Sequence, residues 1–211
     1  MIKRGVRVLG VAESFVKGSK RSVISGVVMR GDLQIDGFSF ATATVGGMDA
    51  TQSILKIYED LNRKDVNVIM LNGCVISWFN IVDLDAVYAA TAKPLIAVTY
   101  EESEGLEKYL RQYFEDWEQR LAVYRRLGER QRVMLQTGHQ ILVRFIGITE
   151  RKTRLLLNRF TLQGAVPEPL RVARILSRSI LRSGLIPEAT PIQREETKNC
   201  DVKRGHIGLS I

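Results

Sequence analysis

Residues 66–71 read VNVIML and residues 94–100 read PLIAVTY, two runs that are almost continuously apolar. A strand with one wet face alternates polar and apolar residues, so strands like these must be covered on both faces. Neighbouring segments carry the period that can cover them. Asp49 to Asn62 puts Ile54, Ile57, Tyr58 and Leu61 on one side of a helix, with Asp49 and Gln52 spaced as a capping box. Asn80 to Ala92 reads as a shorter helix between the two strands. Strand, helix, strand in this order implies parallel pairing through right-handed crossovers.

Upstream the pattern differs. Val6 to Val11, Ser22 to Met29 and Leu33 to Val45 are strand-like, separated by turns at Lys17–Lys20 and Arg30–Asp32. Connections this short imply an antiparallel meander. Downstream, Gly105 to Leu127 predicts one long amphipathic helix. Its stripe of Leu106, Tyr109, Leu110, Tyr113, Phe114, Trp117, Leu121 and Tyr124 is expected to be core. His139 to Ile148 reads as an edge strand, and Glu150–Leu162 and Pro169–Ser183 as two more helices. The tail, 185–211, is loop-like and ends in the apolar Ile207–Ile211, expected to dock on the body. No repeat or composition break divides the chain, which predicts a single domain over 1–211.

The formal net charge is +8, and its excess is clustered: 150–182 holds eight basic residues against Glu150 and Glu168. Clustered positive charge suits nucleic acid; a solvated face that keeps the protein soluble is the competing reading. No run of eighteen apolar residues exists, so no membrane span is expected. The start MIKRGVRVLG lacks a cleavage pattern, and a cytoplasmic protein is expected. Cys74 and Cys200 make no disulfide framework, and Cys74 is read as a reduced, packed thiol. His139 and His206 are too few and too distant for zinc, and Ser14 and Ser77 lack a nucleophile-elbow context.

Five segments together carry a resemblance: RVLGVAES (7–14), GVVMRGDLQIDG (26–37), DATQSI (49–54), VIMLNGCVISWFNIVDLD (68–85) and PEPLRVARIL (167–176). They resemble an archaeal domain-of-unknown-function family that is itself similar to endonuclease V. The resemblance spans most of 1–183 and implies a ribonuclease H-like α/β fold, whose mixed sheet of three antiparallel and then parallel strands is flanked by helices. The element order above agrees with it. Nucleases of that fold hold one or two Mg²⁺ or Mn²⁺ ions on carboxylates, and the metal activates water for phosphodiester cleavage.

Carried onto this chain, the first carboxylate position falls at Ala12-Glu13, the second at Asp49 and the third at Asn72. Glu13 and Asp49 are the implied metal ligands, with Asn72 as a neutral third partner. Each has a plainer reading: Glu13 as a solvent-facing loop residue, Asp49 as a helix cap, Asn72-Gly73 as turn chemistry. Endonuclease V enzymes carry an acidic residue in the late helix; here that helix carries Arg171, Arg174, Arg178 and Arg182, spaced to track a phosphate backbone or to form an ordinary wet face. Three functions follow. One is an endonuclease V-like protein with weakened or lost Mg²⁺-dependent phosphodiesterase activity. The others are a non-enzymatic nucleic-acid-binding module and a protein-interaction scaffold. Oligomeric state is left open.

Overall fold

Alternation along the first strand divides the molecule into two halves. In β1, Arg7–Ser14, Leu9 and Val11 turn to one side of the sheet, while Val8 and Ala12 turn to the other. The computed structural model describes residues 5–102 and 105–189. β1 is followed by β2 (Arg21–Arg30), β3 (Ile35–Thr44), α1 (Ala50–Leu61), β4 (Val68–Asn72), a short hairpin of β5 (Val75–Ile76) and β6 (Asn80–Ile81), α2 (Leu84–Thr91) and β7 (Leu95–Thr99). Then come α3 (Glu107–Tyr113), α4 (Trp117–Arg126), β8 (Gln131–Met134), β9 (Gln140–Ile146), α5 (Glu150–Phe160) and α6 (Glu168–Arg182). Seven strands form one sheet in the order β3-β2-β1-β4-β7-β9-β8. The first three are the expected antiparallel meander, β4 and β7 add in parallel, and β9 and β8 return antiparallel.

On one face Leu9, Val11, Ile24, Ile69, Leu71, Leu95 and Ala97 pack under α1, α2, α3 and α4. On the other, Val8, Met70, Ile96, Val98 and Val143 pack under α5 and the start of α6. That double cover is why VIML and LIAV need not alternate. α6 lies unusually close to the sheet because the facing residues are small. Ala12 and Val27 meet Ala173, and the Ser177 hydroxyl donates to the Ala12 carbonyl at 2.9 Å.

Four expectations change. The predicted 105–127 helix is two helices, broken where Phe114 is extended (φ −132°, ψ 131°). The break lets its ring pack against Trp78 and Phe79, and one extended residue leaves little trace in a helical period. The helix expected from Asn80 begins at Leu84, capped by Asp83, whose carboxylate accepts from the Ala86 amide, and Asn80 itself sits in β6. The 139–148 segment is an inner strand, β9, because the polar QRVM of β8 covers its outer edge. The Asp49–Gln52 capping box is absent, since the Asp49 side chain makes no cap bond. Cys74 is the buried thiol expected, with burial pushing its pKa up to about 11. Cys200 and the apolar 207–211 patch lie outside the described residues.

A Cβ on Gly10 would stand 2.5–2.7 Å from Pro169, two of the three contacts being backbone. Gly10→Ala must therefore push α6 away from β1. It is expected to cost about 1–3 kcal/mol, as overpacking generally does, read as a lowered urea midpoint with unchanged slope.

Candidate functional site

The parallel strands β1, β4 and β7 all end at one edge of the sheet, and β3 delivers α1 to the same edge. Val11 pairs with Leu71. One residue on, Ala12 lies beside Asn72, and both turn toward the α6 side, as Met70 does. Glu13 turns the other way, with Leu9, Val11 and its partner Ile24, toward the α1 side. The resemblance put the first carboxylate position at Ala12-Glu13, with Glu13 as the implied ligand; strand alternation separates the two residues, and the one facing Asn72 is alanine.

Glu13 is not the solvent-facing residue its loop context suggested. Its Oε1 accepts from the Ser77 amide at 3.3 Å, and its Oε2 is buried with no hydrogen-bond partner. Burial pushes its pKa up to about 7, despite the Ser77 amide and the positive charge of Arg174. The Ser77 hydroxyl is 2.6 Å from that of Ser22, and its carbonyl accepts from the Gly46 amide. Ser77, Trp78 and Phe79 all have left-handed backbones (φ 47°, 58° and 64°). Such conformations cost of order 1–3 kcal/mol each and persist only where packing enforces them. Here Trp78 and Phe79 are locked among Tyr109, Tyr113 and Phe114. The buried Arg120 donates to the Phe79 and Gly47 carbonyls and lies over the Phe114 ring.

Asp49 sits where α1 begins, and both its oxygens are engaged. Thr44 donates its amide at 2.9 Å and its hydroxyl at 2.8 Å, Asn80 its amide nitrogen at 2.7 Å, and Arg21 its guanidinium at 3.3 Å. Burial opposes ionisation, but the Thr44 and Asn80 bonds outweigh it and hold the carboxyl below its usual pKa. Asn80 is the residue that sequence reasoning missed. Fully buried, it binds Asp49, the Thr44 carbonyl and the Ala50 amide, so its carboxamide, not Asp49, satisfies the first amide of α1. Its only sequence signal was its place in Trp-Phe-Asn.

The four arginines differ. Arg171 is bound by Glu168 on the preceding turn. Arg174 and Arg178 are half-buried along one flank of α6, and Arg182 is exposed. None of these last three has an ion-pair partner among the described residues. The Ser177 bond to Ala12 sets that flank beside the ends of β1 and β7, and Arg174 acts electrostatically on both Glu13 and Tyr100. The Tyr100 hydroxyl is buried without a partner, and burial moves its pKa well up. Among the described residues no three His, Cys, Asp or Glu side chains are grouped to hold an ion.

The family model for endonuclease dU matches residues 4–181. The chain belongs to the endonuclease dU family. A UPF0215 protein of Pyrobaculum aerophilum is 38% identical over 170 residues, 80% of this chain and 91% of the relative. The crystal structure of a protein of unknown function from Archaeoglobus fulgidus superposes with a TM-score of 0.71 at 24% identity, covering 83% of this chain and 98% of that one. Endonuclease V from Ciona intestinalis, solved with a 24mer DNA containing an inosine followed by a ribo-adenosine, gives 0.57 at 14% identity, with 85% and 87% covered. The chain thus has the ribonuclease H-like, endonuclease V-like fold expected of it. No helix among its described residues is long and apolar enough to cross a membrane.

Glu13 makes the stability of this family member depend on pH. A carboxyl whose pKa rises from 4.5 to about 7 on folding binds its proton more tightly in the folded chain. Its contribution is full below pH 4.5 and is lost as pH rises through about 7. Glu13→Gln cannot ionise. It should gain on wild type by up to about 3 kcal/mol between pH 5 and pH 8.5, measured by urea unfolding of both proteins at each pH. A constant difference between them would place Glu13 in water.

Proposed function

We propose that this chain binds DNA at the carboxyl edge of its sheet through arginine rather than metal, and that Mg²⁺- or Mn²⁺-dependent cleavage there is lost. The observation that carries the reading is the facing pair Ala12 and Asn72, which offers no carboxylate, next to the α6 flank whose Arg174 and Arg178 have no ion-pair partner among the described residues. The residues present do not fit a two-metal centre. Asp49 has both oxygens committed to donors and a cation, and an Asn72 amide cannot neutralise an ion's charge. The guanidiniums supply fixed positive charge for the phosphate backbone without a metal. The family's description, endonuclease dU, makes deoxyuridine-containing DNA the substrate class to present. A cytoplasmic location accords with such a partner.

One observation favours a second reading. The free Oε2 of Glu13 could accept a single cation whose shell substrate phosphates complete, leaving weak phosphodiesterase activity centred on Glu13, with Asp49 already engaged and Asn72 on the other side of the sheet. Fluorescence anisotropy with a deoxyuridine-containing duplex, with EDTA or with Mn²⁺, separates the two. The first reading predicts equal affinity in both buffers, no cleavage, and a salt slope that falls by about 1 for each of Arg174→Ala and Arg178→Ala. Nicking in Mn²⁺ that disappears in Glu13→Gln would establish the second. Affinity unchanged in both arginine variants would refute the first.

A further inference from the structure

The outer strand β3 is an edge of unusual character. Over Ile35–Thr44 it carries one charge, Asp36, and that charge is consumed internally by Arg7 at 2.7 Å and Arg63 at 3.7 Å. Natural edge strands are normally kept short, charged or covered, because their open backbone groups invite another strand. This one is ten residues long and exposes Phe38 (53%) and Phe40 (49%). Both rings lie on the α6 side of the sheet, since Phe38 pairs with Val27 and Phe40 with Ser25, but α6 itself covers β1 and β2.

The backbone direction can be read from the upper end of the strand. Thr42 and Thr44 turn their main chain away from β2. The Thr42 carbonyl accepts from Ser53, and Thr44 bonds Asp49 and Asn80. Val45, of opposite parity, bonds back to Lys20. Main-chain direction alternates along an antiparallel strand, so Phe38 and Phe40 also turn their N–H and C=O groups outward. No element among the described residues lies beyond them.

We infer that β3 pairs antiparallel with β3 of a second copy, about a twofold axis through Ser39. That register sets Phe38 opposite the copy's Phe40, and Phe40 opposite its Phe38. These outward-facing positions exchange four backbone hydrogen bonds, and four phenyl rings cover one another on the α6 side. The pairing is self-complementary, as a twofold interface must be. It brings no like charges together, because the strand's single carboxylate is already neutralised. A strand from a different protein would need its own matching apolar pair, whereas a second copy supplies one by symmetry. The axis stands perpendicular to the joined sheet, so both α6 helices lie on the same face and present their Arg174 and Arg178 flanks together. The pairing does not depend on the DNA-binding reading.

Sedimentation velocity on the full chain at tens of micromolar tests it. Wild type should sediment as a dimer of 23.8 kDa chains. Phe38→Lys with Phe40→Lys should sediment as a monomer with unchanged circular dichroism, because both side chains are exposed. Ser39→Cys should form a disulfide-linked dimer on mild oxidation, since the axis passes through that residue. A monomeric wild type, a lysine variant that stays dimeric, or a Ser39→Cys chain that resists crosslinking while its dimer persists would each overturn the inference.

Discussion

The close docking of α6 on β1 is the contact on which the rest of the structure depends. Gly10, Ala12, Ala173 and Ser177 are all small, and the helix comes near enough for the Ser177 hydroxyl to reach the Ala12 carbonyl. The same contact sets what position 12 can be. A carboxylate there would be buried against Ala173 and Val27, away from water. Burial at that position would raise the cost of ionising a carboxylate. The alanine at position 12 and the close approach of α6 meet at one contact. The docking that buries Ala173 and Ser177 also brings Arg174 within electrostatic reach of Glu13 and Tyr100 at the strand ends.

A second device supports the edge from the opposite face. The left-handed run Ser77–Phe79 is held by aromatic packing and by Arg120, and it delivers two groups to the site: the Ser77 amide to Glu13 and the Asn80 carboxamide to Asp49. Asp49 thereby ties β3, α1 and β6 together. Among the described residues Glu13 is the carboxylate at the edge with an uncommitted buried oxygen, and at neutral pH it sits near its own midpoint.

Much of this was legible in the sequence. The doubly covered VIML and LIAV runs gave the parallel strands, the short turns gave the meander, and the helices around Ile54, Leu156 and Ala173 follow from their periods. The resemblance carried by five segments, 68–85 among them, led to the family. What was not legible has physical causes. A one-residue extension at Phe114 barely disturbs a helical period. The four residues of β8 are too few and too polar to announce a strand. Asp49 has the composition and spacing of a cap, and only the nearby Thr44 and Asn80 donors divert it. Above all, adjacent residues on a strand face opposite ways, so choosing between Ala12 and Glu13 required the β1–β4 register.

The central claim is that the edge has lost the charge needed to hold a catalytic ion. Calorimetric titration of Mn²⁺ into the purified, chelator-treated chain tests it most directly, with Glu13→Gln as the control. The account predicts the same small heats of dilution from both proteins up to millimolar Mn²⁺. A saturable isotherm in the micromolar range that vanishes in Glu13→Gln would contradict it, and would mean that Glu13 holds a working metal site despite the alanine at position 12 and the asparagine at position 72.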